Sequence, residues 1–452
     1  MQKKLLSGLF WVLLANLLVK PAWILGIEVG VQNAVGNEMY GFYFAIFNLA
    51  YIFNILLDAG LTNFNTRNIA QHPKLVGRYL GGILGVKLLL LGVYLAVTFT
   101  AGLALGFGSG EFRLLAWLTA AQFLNSLILY LRSNFEGLLL FKWDSLFSVL
   151  DRLLMIAICG CMLWTPLRAK FNIYWFVYAQ VAAYAISALL AIIVIAHKTG
   201  RPRLHWNRRF MLAVLKQSAP FALLVLLMAS YNRIDPILLR RLSGDASAGI
   251  YAGAFRLLDA LTMVAYLVSV PLLPVFSRLC STTGREAQHS ELTATLRLVF
   301  WPMMLFSVGV ATACALFAEP LMELLYHGHS APYVPVFRIV IFSLVPIGLT
   351  YIFGTLLTAD GRLRQLNLLA AVSLALNIGM NMVLIPRLGA VGSAWASLAA
   401  QSFMATAQLV LSIRLLHLSA SAFLPPTPAD LKQALRSATA AEPEASLPAT
   451  SQ

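Results

Sequence analysis

Hydrophobic residues in this chain gather into long unbroken runs, separated by short polar stretches. A hydrocarbon core about 30 Å thick needs roughly 20 apolar residues per helical span. Runs of that size predict spans near residues 9–27, 39–57, 79–103, 112–131, 146–164, 173–196, 218–239, 249–275, 298–317, 335–357, 365–385 and 389–411, twelve in all. Strand-sized alternating segments, the mark of an outer-membrane barrel, are absent. The opening MQKKLLSGLFWVLLANLLVK resembles a signal peptide. No Ala-x-Ala-like site follows, and the apolar run continues through Trp23 and Ile27, so it reads as a retained first span.

Composition agrees with the pattern. Of 452 residues 60% are hydrophobic and 11% charged, and the mean hydropathy is +0.78. A soluble domain carries about 25% charged residues, so most of this chain cannot form a water-facing surface. No segment is large and polar enough to be a soluble enzyme domain. The reading is an all-α polytopic membrane protein.

Lys and Arg set the orientation, because cytoplasmic loops are enriched in them. With the N-terminus inside, the inner segments hold Lys3, Lys4, Arg67, Lys74, Arg78, Arg132, Lys142 and a run from Lys198 to Lys216. Arg278, Arg285, Arg297, Arg362, Arg364 and Arg414 follow. The outer set is smaller: Arg113, Arg168, Lys170, Arg240, Arg241, Arg338 and Arg387. Both termini are therefore expected in the cytosol. The net charge of +15 reads as topology-setting loop charge beside anionic membrane lipid, not as a nucleic-acid surface.

An internal repeat organises the chain. Gly36-Asn37-Glu38-Met39-Tyr40-Gly41-Phe42-Tyr43 opens span two, and Gly244-Asp245-Ala246-Ser247-Ala248-Gly249-Ile250-Tyr251 opens span eight. Six spans lie between them, so the halves share one orientation and predict two six-helix lobes related by a pseudo-twofold axis along the membrane normal. The expected division is an N-terminal lobe at 1–196, a basic cytoplasmic connector at 197–216, a C-terminal lobe at 217–417 and a disordered tail at 418–452.

Ionisable side chains at bilayer depth cost at least about 2.5–3.5 kcal/mol each, so they face a polar interior. Lys20, Lys87, Arg233 and Arg256 are the deep cations. Guanidinium and ammonium groups pair with phosphate oxygens, which makes these four candidate contacts for an anionic, phosphate-bearing substrate. Local neutralisation is the competing reading, with Arg256 and Asp259 spaced to pair on one helix face. Asp58, Asp151 and Arg152 are expected to snorkel to the interface. Asp235, Asn377 and Asn381 are candidates for a coupling Na⁺ or H⁺, the two asparagines lying one turn apart. No other cofactor is expected.

Weaker signals add little. Gly106-Phe-Gly108-Ser-Gly110 lacks the strand–helix context of a nucleotide loop, His327-Gly-His329 lacks further metal ligands, and the four cysteines read as packing residues.

The stretches Tyr231-Asn-Arg-Ile-Asp235-Pro, Gly249-Ile-Tyr251-Ala-Gly-Ala-Phe-Arg256-Leu, Pro271-Leu-Leu-Pro274-Val-Phe-Ser-Arg278 and Asn377-x-x-x-Asn381-x-x-Leu-Ile-Pro386-Arg-Leu-Gly389 occur in order, after Tyr40-Gly-x-Tyr43 and Leu57-Asp58-Ala-Gly60. In this the chain resembles the polysaccharide transporter family, the O-antigen and capsule flippases of the multidrug/oligosaccharidyl-lipid/polysaccharide exporter superfamily. The resemblance implies a central cavity lined by spans one, two, seven and eight. It also implies transfer of undecaprenyl-diphosphate-linked oligosaccharide across the bacterial inner membrane, with polysaccharide polymerase and glycosyltransferases as candidate partners. Lipid II flippases of the superfamily carry a Tyr-Ala-x-x-Arg-Leu-like stretch whose Arg contacts diphosphate; Arg256 sits one residue further along. Their fourteen spans, against twelve here, favour the polysaccharide branch. A membrane polymerase or ligase would need a larger outside loop than 319–334, and a multidrug cation antiporter would need an acidic cavity.

Overall fold

The computed structural model describes residues 19–426, except 59, 63–64, 67–68, 70–75, 139, 200–222, 270–271, 282–284 and 419. Among the described residues every regular element is helical. The spans are α1 (19–35), α2 (37–58), α3 (Val76–Ala104), α4 (Ser109–Gly137), α5 (Lys142–Leu163) and α6 (Ile173–Thr199). The second half repeats the plan with α7 (223–243), α8 (Asp245–Ser269), α9 (Arg285–Leu316), α10 (Tyr333–Ala359), α11 (363–388) and α12 (390–415).

Among the described residues nine helical stretches are long and apolar enough to cross a membrane. Two of them hold two spans each, because the chain reverses inside them at a single glycine, Gly36 (φ 79°) or Gly389 (φ 57°). Only glycine takes such angles at no steric cost. With α7, described from residue 223 onward, these make the expected twelve. The protein is a multi-pass helical membrane protein.

Each bundle has its own core. Trp23, Ile27, Tyr43 and Phe176 pack in the first, where Val86, Tyr130, Phe135 and Phe147 form a second layer. Tyr251, Met322, Tyr333 and Phe337 pack in the other. Large apolar side chains also point outward, such as Leu305 at 67% and Leu368 at 65% exposure. A surface of this kind suits lipid, not water.

Two expectations meet the structure differently. The connector is described only to Thr199, so nearly all of it lies outside the described residues. The tail expected to be disordered from 418 is partly folded. Leu418 and Ala422 are buried, a 3₁₀ turn spans Ala420–Phe423, and Trp301 Nε1 donates to the Phe423 carbonyl at 3.1 Å. The Phe423 ring meets Phe300 edge-on at 5.5 Å. A few apolar residues beyond a span dock once a neighbouring helix offers an aromatic face. That partner is invisible to composition.

Candidate functional site

The bundles meet most closely where α2 lies against α8, and the repeated octets make the contact. A Cβ on Gly41 would lie 1.8 Å from the Asp245 carbonyl oxygen, and one on Gly249 would lie 2.0 Å from that of Asn37. Each octet's second glycine thus seats the other octet's Asn or Asp backbone. Such reciprocal contact is what a twofold relation produces. The first glycines match as well, with φ, ψ of 79°, 168° at Gly36 and 89°, 171° at Gly244. Small residues allow this backbone approach between membrane helices.

Side chains reinforce the clasp. Gln32 donates to the Gly249 carbonyl at 2.8 Å, and Asn33 donates to that of Leu325 at the same distance. Tyr333 donates to Asn37 Oδ1 and stacks on Tyr326 at 4.0 Å. Arg240 of α7 reaches Glu111 of α4 at 2.9 Å while lying over the Phe42 ring. At the adjoining loop, Glu323 accepts hydrogen bonds from Ser330 Oγ and the Gly328 amide, which hold its carboxyl below the usual range. That turn accounts for the His327-Gly-His329 motif, and no metal-binding cluster occurs among the described residues.

Arg256 lies on α8 below the clasp. Its Nη1 donates to Glu28 Oε2 at 2.7 Å, Nη2 faces Gln32 Oε1 at 3.5 Å, and the Tyr40 ring covers the guanidinium at 4.5 Å. Glu28 ends a π-helical turn, Ala22–Glu28, that follows Pro21. A π turn brings residues five apart onto one face, and Trp23 Nε1 accordingly donates to Glu28 Oε1 at 3.2 Å. Asp259, the partner that the competing reading offered Arg256, pairs instead with Arg233 at 3.5 Å. The helix spacing allowed the first pairing, but α1 and α7 each offer a partner that competes better.

Arg233, Asp259 and Tyr51 line a cavity of about 510 Å³ with Asn232, Phe255 and Gln401. The Tyr51 ring lies 5.4 Å from the Arg233 guanidinium. A further cavity of about 390 Å³ shares Leu224, Met228, Thr350 and Tyr351 with the first, and continues along α10 between Tyr266 and Met404. The charged pair sits at one end, and the other is lined by Leu273, Leu366 and Met404 with the uncharged polar groups of Ser269, Thr355 and Gln408.

The remaining candidate cations lie elsewhere. Lys87 is 1% exposed inside the first bundle, donating to Ser126 Oγ at 2.8 Å and the Leu57 carbonyl at 3.1 Å, with Asp58 at 3.5 Å. Its donors are already used within the first bundle, and the structure does not bring it together with Arg233 or Arg256. Lys20 is half-buried within reach of the charges on Arg152, Arg132 and Asp151, and not beside Arg256. Arg152 does not snorkel as expected: it lies between the rings of Trp23 and Tyr184, at 5.5 and 5.7 Å. Asp151 beside it is 8% exposed.

The three coupling-ion candidates come together inside the second bundle. Asn381 Nδ2 donates to Asp235 Oδ1 at 2.7 Å and to Asn377 Oδ1 at 2.9 Å. Tyr251 donates to Asp235 Oδ2 at 3.1 Å, and Ser397 donates to the same oxygen. Asn381 Oδ1 is buried without a partner. These are hard oxygen donors, the type that alkali and alkaline-earth cations prefer.

Sequence reasoning missed Glu28, Gln32, Arg152, Tyr251 and Ser397 as site residues. For Glu28 the signal was present: an acid within an apolar run is as costly as Lys20. The others are visible only once the helices are packed.

The family model for polysaccharide biosynthesis proteins matches residues 5–280, more than half of the chain. No curated protein matches it. Among solved structures, an inward-facing multidrug resistance MATE family transporter of the MOP superfamily is similar over 90% of this chain and 96% of its own, with TM-score 0.67 and 16% identity. Lipid II flippase MurJ in an inward closed conformation is similar over 92% and 89%, with TM-score 0.63 and 15% identity. A MOP superfamily transporter from Pyrococcus furiosus, described by the reverse polarity of its binding pocket, is similar over 91% and 93%, with TM-score 0.57 and 15% identity. At those identities the likeness is one of fold. Two bundles joined by a glycine clasp are thus built on the plan of these transporters, and the chain belongs to the polysaccharide biosynthesis protein family.

Proposed function

We propose that the protein is a flippase that moves undecaprenyl-diphosphate-linked oligosaccharide across the bacterial inner membrane by alternating access. The observation that carries this reading is a guanidinium, Arg256, buried where the two bundles meet, with a second, Arg233, lining the cavity below. A diphosphate head needs such groups at bilayer depth. The apolar walls toward Met404 would accept the first isoprenoid units. With both termini cytosolic, the clasp seals the periplasmic side and the cavity faces the cytosol, where the lipid-linked unit is made. Rocking of the bundles that parts the clasp would then present the head to the opposite leaflet. Polymerase and glycosyltransferases would act on either side of this step.

Transport can be tested in proteoliposomes. Fluorescent lipid-linked oligosaccharide should become accessible to an impermeant glycosidase faster than in empty vesicles. Equal rates would end the proposal.

A second reading has a specific observation behind it. Arg233 pairs with Asp259 in the cavity and Arg256 with Glu28 beneath the clasp, so each of these cations already has an acid beside it. A cation antiporter would use the two acids. Resistance to cationic drugs on overexpression, without any effect on surface polysaccharide, would favour it.

Energy coupling fits the Asp235 cluster. Rotating the Asn381 amide would aim its free Oδ1 at Asp235, with Na⁺ between them; protonation of Asp235 is the other route. Asp235→Asn should leave the protein folded but remove stimulation of transport by an imposed Na⁺ or H⁺ gradient. Stimulation equal to wild type would show that coupling lies elsewhere.

A further inference from the structure

The Glu28–Arg256 pair is asymmetric in a way that a purely structural ion pair need not be. The Arg256 side chain is 4% exposed, whereas that of Glu28 is 27% exposed. A guanidinium offers five N–H donors in a fork that suits two oxygens at once. Arg256 gives a close bond to one carboxylate oxygen only, and its Nε is buried without a partner. The seat has more donor capacity than its occupant uses. The other Glu28 oxygen is held by Trp23 across the π turn. A π turn carries one residue more than an α turn. Relaxing it to α-helix would swing Glu28 by about 100° about the α1 axis, clear of Arg256.

We infer that Glu28 is an intramolecular stand-in for the anionic head of the substrate. It fills the Arg256 seat while the protein is empty and clasped, and a diphosphate takes the seat by displacing it. Displacement also removes one of the ion pairs that tie the bundles together; Glu111–Arg240 at the rim is another. Loading therefore loosens the clasp, which couples occupancy to the rocking step. The identity of the anion rests on the transport reading above; the competition for Arg256 does not.

The test uses the full-length protein in nanodiscs and farnesyl diphosphate as probe. Removing a competitor that holds the seat most of the time raises apparent affinity in proportion, here on the order of tenfold. Glu28→Gln should show that gain, and Glu28→Gln with Arg256→Gln should lose it. Glu28→Asp should stay near wild type. Trp23→Phe frees one Glu28 oxygen and should show a smaller gain, which keeps the test open if Glu28→Gln fails to fold. If neither variant binds the probe more tightly, or the gain survives without Arg256, the stand-in role is overturned. If the gain appears while wild type moves no lipid-linked oligosaccharide in vesicles, the anion seat stands and the flippase reading falls.

Discussion

Valine at Gly41 or at Gly249 abolishes transport, and the two variants behave alike. Each Cβ would meet a backbone carbonyl oxygen at 1.8 or 2.0 Å, and backbone cannot give way as a flexible side chain does. Overpacking costs about 1–3 kcal/mol, and a contact against backbone belongs at the upper end. The cost falls only on the clasped state, because each bundle keeps its own core. The clasped population drops by on the order of a hundredfold, and alternating access loses one of its two states. Spin labels at Glu38→Cys and Ala246→Cys, both exposed beside the clasp, should report a longer distance in either variant. Gly92→Ala is the control: nothing lies within 4 Å of its added Cβ. Wild-type transport by Gly41→Val would mean that the close approach of α2 and α8 is dispensable.

Arg256→Gln removes surface polysaccharide while Arg256→Lys retains part of it. Gln leaves Glu28 as an unpaired acid at bilayer depth, and breaking a buried pair in this way costs about 3–5 kcal/mol. Some of that cost is stability, so protein level must be measured alongside activity. Glu28→Gln with Arg256→Gln removes both charges and should restore the protein level without restoring transport. Lys keeps the charge but loses the fork and the stacking on Tyr40, and about tenfold lower transport is expected. Activity of Arg256→Gln equal to wild type, at equal protein level, would remove the guanidinium from the mechanism.

The membrane class, the twelve spans and the two-bundle plan were legible because each depends on a local quantity. Apolar run length predicts a span wherever it occurs. The octets predicted parallel halves because spacing along the chain carries orientation. The clasp made by those octets was not legible, since contact between Gly41 and Asp245 depends on how two distant helices lie together. The charges followed the same division. The spans alone singled out Lys20, Lys87, Arg233 and Arg256 as costly, and the last three each have an acid beside them. The environments differ: Lys87 is sealed inside one bundle, Arg233 lines a cavity, and Arg256 bridges two bundles. Asp235, Asn377 and Asn381 came together because α7, α11 and α12 converge, and Ser397 joined them unannounced.

By itself the sequence determined what each segment must be, since the hydrocarbon core imposes length and polarity on every span independently of its neighbours. Tertiary structure alone decided which charge meets which. Glu28 beats Asp259 for Arg256, and Asp259 goes to Arg233. Ion pairing at bilayer depth is a competition among all groups that packing brings within a few ångströms, and distance along the chain says little about who wins.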